Sequence, residues 1–210
     1  MVDVYKSFQY GEDVEGVPPA MQKILDQRLS NLGRVAQRAR QVNIPVIYVM
    51  NSSPKNGAQT SVFGRLVREG WHENINQLFR EGGVDQREFH GDRPGPLEIA
   101  RGCEPAAPDY YLRKQFYSGF YETRLDSVLR NHSIKTILVG GIWLNVCVQS
   151  TLYDALYRNY QAVLIRDGTL AGEPAGQESK LKNTEFFTTW TETFIGPSTT
   201  VKDCIKALRD

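Results

Sequence analysis

Residues 114–130 read K-Q-F-Y-S-G-F-Y-E-T-R-L-D-S-V-L-R, and residues 131–154 read N-H-S-I-K-T-I-L-V-G-G-I-W-L-N-V-C-V-Q-S-T-L-Y-D. The second stretch passes from a short β-branched run, Thr136 to Val139, through Gly140 and Gly141 into helical spacing over Val146 to Tyr157. It predicts a buried strand, a tight turn and a helix with Cys147 in its first turn. The unpaired N–H groups and positive dipole end of a helix start favour a thiolate, and they offer backbone donors to an oxyanion.

The same alternation extends outward. Met21 to Val42 places Met21, Ile24, Leu25, Leu29, Leu32, Val35, Ala36 and Ala39 on one face at three- and four-residue steps, which predicts an amphipathic helix. Ile44 to Met50 is a continuous apolar run of strand type, followed by a polar loop over Asn51 to Gln59. Asp109 to Arg113, Lys135 to Gly140 and Gln161 to Arg166 predict further strands, separated by helices over Glu122 to Asn131 and Val146 to Arg158. Strand and helix in this order imply an α/β fold whose parallel sheet is covered on both faces, with binding loops at the C-terminal strand ends. Trp71 to Phe79 reads as a short helix, Gly82 to Pro96 as an irregular excursion over the active-site end, and Val201 to Leu208 as a final helix.

Composition narrows the function. A chain of 210 residues, 40% hydrophobic and 23% charged, suits one domain over 1–210 with a single core. The net charge of +1 and the lack of basic runs interleaved with aromatics point away from nucleic acid and toward small-molecule chemistry. No stretch approaches ~18 apolar residues, and the first residues lack a signal-peptide pattern, so neither a membrane nor export is expected. Cys103, Cys147 and Cys204 are widely spaced without a C-x-x-C, which fits neither a disulfide framework nor a zinc site and implies a reducing, cytoplasmic setting. Cys103 and Cys204 read as small buried hydrophobes.

Three blocks carry a resemblance: Lys114 to Arg130, then G-G-I-W-L-N-V-C-V-Q-S-T-L-Y-D-A-L over 140–156, then the strand that ends near Asp167 and Gly168. They resemble the isochorismatase-like cysteine hydrolases, within them the ureidoacrylate and biuret amidohydrolase branch. The resemblance implies a three-layer, Rossmann-like α/β/α sandwich with a mostly parallel sheet, and an Asp-Lys-Cys triad. Cys147 matches the nucleophile, Lys114 the lysine at its strand end, and Asp3, in V-D-V-Y-K-S-F, the aspartate ending the first strand. A nearby ammonium lowers a thiol pKa, and a carboxylate can accept its proton and return it to the leaving nitrogen. The resemblance further implies a cis Ile142–Trp143 peptide and an oxyanion hole built from the N–H groups of Trp143 and Cys147.

Several positions depart from the family pattern. Only Met1 and Val2 precede Asp3, against a typical strand of ~5 residues, so either the first strand is shortened or the chain starts late. Tyr5 stands where the family has glutamine, and Trp143 and Leu144 where it has a small residue and threonine, so the pocket should differ in shape. Trp143, Tyr117, Phe120, Tyr5 and Trp71 are candidate substrate-lining aromatics. The metal-binding Asp-x-His of nicotinamidase-like members has no counterpart, since His72, His90 and His132 are far apart, so neither a metal nor any other cofactor is expected. A Cys-His dyad through His132 is a weak rival.

The expected activity is metal-independent hydrolysis of a C–N bond in a small linear amide or carbamoyl compound, such as ureidoacrylate or biuret, through a thioester. An enol-ether hydrolase and a catalytically silent binding or scaffolding protein are the alternatives; a thiol nucleophile is not needed for the former. A substrate carboxylate would require a cation, for which Lys55, Arg65, Arg68 and Arg113 are candidates. A homo-oligomer, dimer or tetramer, is expected from the resemblance.

Overall fold

The computed structural model describes residues 1–5, 19–51, 99–172 and 180–208. In chain order the elements are α1 (Pro19–Gln41), β1 (Ile47–Asn51), β2 (Tyr110–Lys114), α2 (Leu125–Asn131) and β3 (Thr136–Ile142). After a single π-helical turn, Leu144–Val148, come α3 (Gln149–Tyr157), β4 (Gln161–Leu170), α4 (Lys180–Phe194), β5 (Ser198–Thr199) and α5 (Val201–Ala207). The expected helix at Trp71 to Phe79 and the excursion at Gly82 to Pro96 lie outside the described residues.

Two parallel ladders make the sheet. β1 pairs with β2 from Ile47↔Tyr110 to Asn51↔Lys114, and β3 pairs with β4, which in turn pairs with β5. The N-terminal residues join these ladders, because Val2 forms parallel bridges to both Val49 and Gly141. Val2 N–H donates to Gly140 O at 2.9 Å, Ile142 N–H to Val2 O at 3.1 Å, and Asp3 N–H to Val49 O at 3.1 Å. Val2 and its neighbours thus lie between the two ladders, in the middle of the sheet. Below them, between the N-terminal halves of β1 and β3, lies an apolar cavity of about 460 Å³ lined by Ile44, Val46, Leu129, Ile137 and Leu138 among others.

Helices cover both faces, giving the three-layer α/β/α arrangement. The apolar stripe of α1 is buried from Met21 to Ala39 and packs with Val201 and Cys204 of α5 on one face. Leu125 and Leu129 of α2, with Leu152 and Ala155 of α3, form the core on the other. Two glycines set how closely these layers approach. A Cβ on Gly140 would lie 2.5 Å from Leu32 Cδ2, and one on Gly141, where φ is 141°, would lie 1.8 Å from Val2 O.

Some boundaries differ from the sequence reading. β4 runs four residues past Arg166 to Leu170, because a register shift after Val139 lets Gly141 and Ile142 pair with Thr169 and Leu170 across the polar Asp-Gly-Thr interruption. α4 and β5 were not expected from the sequence at all. The α4 segment E-F-F-T-T-W-T-E-T-F is dense in threonine and aromatic residues, which are weak helix formers. Packing against β4 overrides that preference.

Gly141→Ala is expected to lower stability by about 3 kcal/mol or more, since the added methyl meets Val2 O and alanine disfavours the backbone angle. Denaturant unfolding monitored by circular dichroism checks this; a loss within about 0.5 kcal/mol, the range of an ordinary surface change, would show that Val2 does not seat against Gly141.

Candidate active site

Parallel strands bring their C-terminal ends to one edge, and the register makes Asn51 the neighbour of Lys114 there. Asp3 leaves its short strand at the same edge, between β1 and β3, in the left-handed region with φ 49°. Aspartate tolerates that conformation better than most residues. The Ile142–Trp143 peptide is cis, as the resemblance implies, and the chain then enters the π-helical turn that holds Cys147.

These elements converge on three buried groups. Lys114 Nζ lies 2.7 Å from Asp3 Oδ2 and donates to Cys147 Sγ at 3.4 Å and to Phe116 O at 3.1 Å. Two of its donors are taken by Phe116 O and Cys147 Sγ, and the Asp3 carboxylate neutralises its charge in ion-pair contact. Asp3 Oδ1 accepts from Asn51 N–H at 2.7 Å and lies 3.1 Å from the Tyr5 hydroxyl, whose other neighbour is Asn51 O at 2.7 Å. Tyr5 is fully buried and so stands behind the carboxylate, holding it from the side away from Lys114.

The electrostatics leave Lys114 charged and Cys147 protonated at rest. Burial works against the Lys114 ammonium, but the Asp3 carboxylate and the cysteine outweigh it and raise its pKa above the ordinary 10.5. Burial pushes the Cys147 thiol well above its ordinary value; Lys114 opposes this, and Asp3 adds to it. The ammonium effect expected from sequence is present but smaller than the cost of burying a thiolate. Burial likewise raises the Tyr5 and Tyr117 hydroxyls, with Asp3 as the next cause for Tyr5 and Cys147 for Tyr117, which reaches about 12.

Side-chain hydrogen bonds lock the two sequence blocks together. Thr151, one turn after Cys147, donates to Cys147 O at 2.7 Å and accepts from Gly119 N–H at 2.9 Å. Ser118 Oγ donates to Asp154 Oδ2, and Asp154 also pairs with Arg158 at 2.7 Å. Asn145 and Gly172 exchange two bonds, 3.0 and 2.8 Å, clamping the π-helical turn to the end of β4. Thr151, Asp154 and Asn145 escaped the sequence reading. The hint was the spacing C-x-x-x-T-x-x-D, which puts both polar side chains on the cysteine's side of the helix.

The aromatic candidates separate. Trp143 caps the π-helical turn, and its indole ring lies 5.3 Å from the Nζ of buried Lys180, another residue the sequence reading passed over. Tyr117 is 38% exposed and close enough to feel both Cys147 and Lys114. Phe120 is placed instead in the core, stacked on Tyr160 at 5.7 Å with Arg158 over its ring. Trp71, Lys55, Arg65 and Arg68 lie outside the described residues, and Arg113 is exposed on β2. Cys103 is buried and donates to Leu29 O, Cys204 is buried in the α5 interface, and His132 bonds the Tyr110 hydroxyl at 2.7 Å.

Comparison with known proteins gives the family. The model of the Isochorismatase domain matches residues 3–193. The chain belongs to the isochorismatase family. It is 32% identical over 183 residues to the ureidoacrylate amidohydrolase RutB of Methylorubrum extorquens, covering 86% of this chain and 69% of that one. It is 30% identical to RutB of Serratia proteamaculans over 77% of this chain and 65% of that one. Among solved structures it is similar to a cysteine hydrolase from Pseudomonas syringae pv. phaseolicola, with TM-score 0.76 and 25% identity over 99% of this chain and 89% of that one. An N-carbamoylsarcosine amidase from Thermoplasma acidophilum superposes with TM-score 0.63 and 26% identity, covering 95% and 93% of the two chains.

With its thiol raised by burial, Cys147 in this isochorismatase-family chain should alkylate slowly with iodoacetamide near neutral pH. The rate should climb about tenfold per pH unit from about pH 7 to about pH 9, without levelling off. Quantifying the Cys147 peptide by mass spectrometry checks this, and a plateau below the ordinary thiol value of 9.0 would mean a resting thiolate.

Proposed function

We propose that this isochorismatase-family cysteine hydrolase cleaves a C–N amide bond of a small linear amide or carbamoyl compound, as a single domain over 1–210 working in the cytoplasm. The observation that carries the reading is the buried contact series Asp3–Lys114–Cys147 at the C-terminal sheet edge. Relatives named as a ureidoacrylate amidohydrolase and an N-carbamoylsarcosine amidase support the bond type. No described helix is long and apolar enough to cross a membrane.

In the proposed mechanism Cys147 Sγ attacks the carbonyl carbon while its proton passes to the Asp3 carboxylate, and the Lys114 ammonium stabilises the sulfur as negative charge develops. The oxyanion is received by the N–H groups of Trp143 and Cys147. As the tetrahedral species collapses, the C–N bond breaks and protonated Asp3 gives its proton to the leaving nitrogen, which departs as ammonia or an amine. A thioester on Cys147 remains. Water then attacks it with Asp3 as base, releasing the acid and restoring the thiol. Trp143 and Tyr117 line the approach to the sulfur.

Ammonia release from ureidoacrylate, biuret and N-carbamoyl amino acids tests the reading. Turnover of at least one compound is expected, with Cys147→Ala lower by about a thousandfold or more. Retention of activity in the mutant would exclude the thioester route.

A further inference from the structure

Trp143 and Leu144 stand side by side where β3 gives way to the turn that holds Cys147, yet the fold treats them differently. Leu144 has no exposed surface and belongs to the core under α2 and α3. Trp143 is partly buried, and its indole packs against the α1-side core that includes Tyr5, Ile142 and Leu170. Its backbone is part of the cysteine turn, since the Trp143 carbonyl accepts from Val146 N–H and Val148 N–H, both at 3.2 Å. The ring is fixed from two further directions. Gly172, just past β4, comes so close that a Cβ there would lie 3.2 Å from Trp143 Cγ, and Gly172 is itself held by its two bonds to Asn145. Lys180 Nζ lies 5.3 Å from the ring centroid, and this lysine is buried.

We propose that Trp143 is a specificity-determining residue whose ring walls one side of the path to Cys147. The site then takes unbranched amides and carbamoyl compounds and turns away those with a ring or branched group flanking the carbonyl. The substrate half of this statement rests on the amidase reading above; the wall itself does not. Trp143 lies at the C-terminal sheet edge one turn before Cys147, so the surface it keeps exposed opens there. The core, Gly172 and Lys180 together hold the indole, and a side chain restrained by close packing does not swing aside for a large group. Leu144, sealed in the opposite core, cannot take this part. Size matters steeply at such a wall. One methylene, extra or missing, in an apolar pocket changes selectivity about 10- to 200-fold, and an indole displaces the volume of several.

Alkylation of Cys147 in the full chain tests the wall without any substrate. Iodoacetamide and its N-phenyl analogue iodoacetanilide both form an S–C bond with loss of iodide, and both need the same thiolate. The ratio of their rate constants therefore cancels the protonation of sulfur and leaves steric access. Relative to the ratio for free N-acetylcysteine, the wild-type protein should disfavour iodoacetanilide at least about tenfold, and Trp143→Ala should remove at least about fivefold of that bias. Trp143→Phe, which keeps a flat ring, should stay within about threefold of wild type. Circular dichroism and thermal melting establish folding, and Trp143→Leu takes the place of the alanine variant where that one does not fold. A ratio in the folded variant within about twofold of wild type overturns the wall, as does a wild-type ratio equal to that of the free thiol. The substrate half is read separately, as kcat/KM for N-carbamoylglycine against N-carbamoylphenylalanine. Trp143→Ala should shift this ratio at least about tenfold toward the larger compound, and an unshifted ratio overturns that half. Absence of all turnover, with the alkylation ratio shifted as expected, defeats the amidase reading and leaves the wall standing.

Discussion

An ammonium group sealed from water must find acceptors and a counter-charge, and the Lys114 side chain, with none of its surface exposed, finds both at a single place in the fold. Its partners come from three separate segments: Asp3 from the N-terminal strand, Phe116 O from the chain just after β2, and Cys147 from the turn after β3. Removing either member of a buried charge pair leaves the other uncompensated, typically at a cost of about 3–5 kcal/mol. The sheet edge is therefore held together by the same contacts that would be used in catalysis. A fold in which these strand ends were not adjacent could not bury this lysine.

That adjacency depends on three residues. Met1, Val2 and Asp3 fill the gap between the β1–β2 and β3–β4–β5 ladders with hydrogen bonds on both sides, and Val2 alone bridges both neighbours. These three residues gain little from propensity or from their own burial. They are kept in register by their surroundings: Gly141 lets the backbones approach, and Asn51 N–H and the Tyr5 hydroxyl hold the carboxylate that follows. Tyr5 is one of the positions read from sequence as departing from the family pattern, and its surroundings accommodate it. The hydroxyl reaches both Asp3 Oδ1 and Asn51 O, linking the carboxylate to the end of β1 while the ring fills the α1 side of the core.

Much of this was readable from sequence where local pattern and tertiary environment agree. The stripe on α1 and the β-branched run of β3 have strong periods, and both form close to where those periods place them. In Y-Y-L-R-K, alternation puts Lys114 in phase with buried Leu112, so a charged residue falls on a core-facing position, itself a mark of a paired charge. The reading failed where tertiary contacts decide. α4 is a helix despite its threonines, β4 continues through Asp167–Gly168–Thr169 because β3 shifts register beside it, and Phe120 faces Tyr160 rather than the site although its neighbours Ser118 and Gly119 tie the block to α3. Linear sequence orders these residues correctly but carries no information on which way a loop side chain turns.

The protonation state at rest has a consequence for how such a site would work. A helix start and an adjacent lysine would, in water, produce a ready thiolate, as they do in many reactive cysteines. Here burial dominates, and the lysine's charge is largely engaged by Asp3, so the free site stores its proton on sulfur. In the proposed reaction the nucleophile then becomes anionic only as a carbonyl arrives to share the charge, with the carboxylate as the receiving base and the ammonium fixed between them. Such an arrangement limits side reactions of a standing thiolate with oxidants and other electrophiles. It also ties nucleophile activation to substrate binding, because the oxyanion donors can stabilise the developing charge once a carbonyl oxygen occupies them.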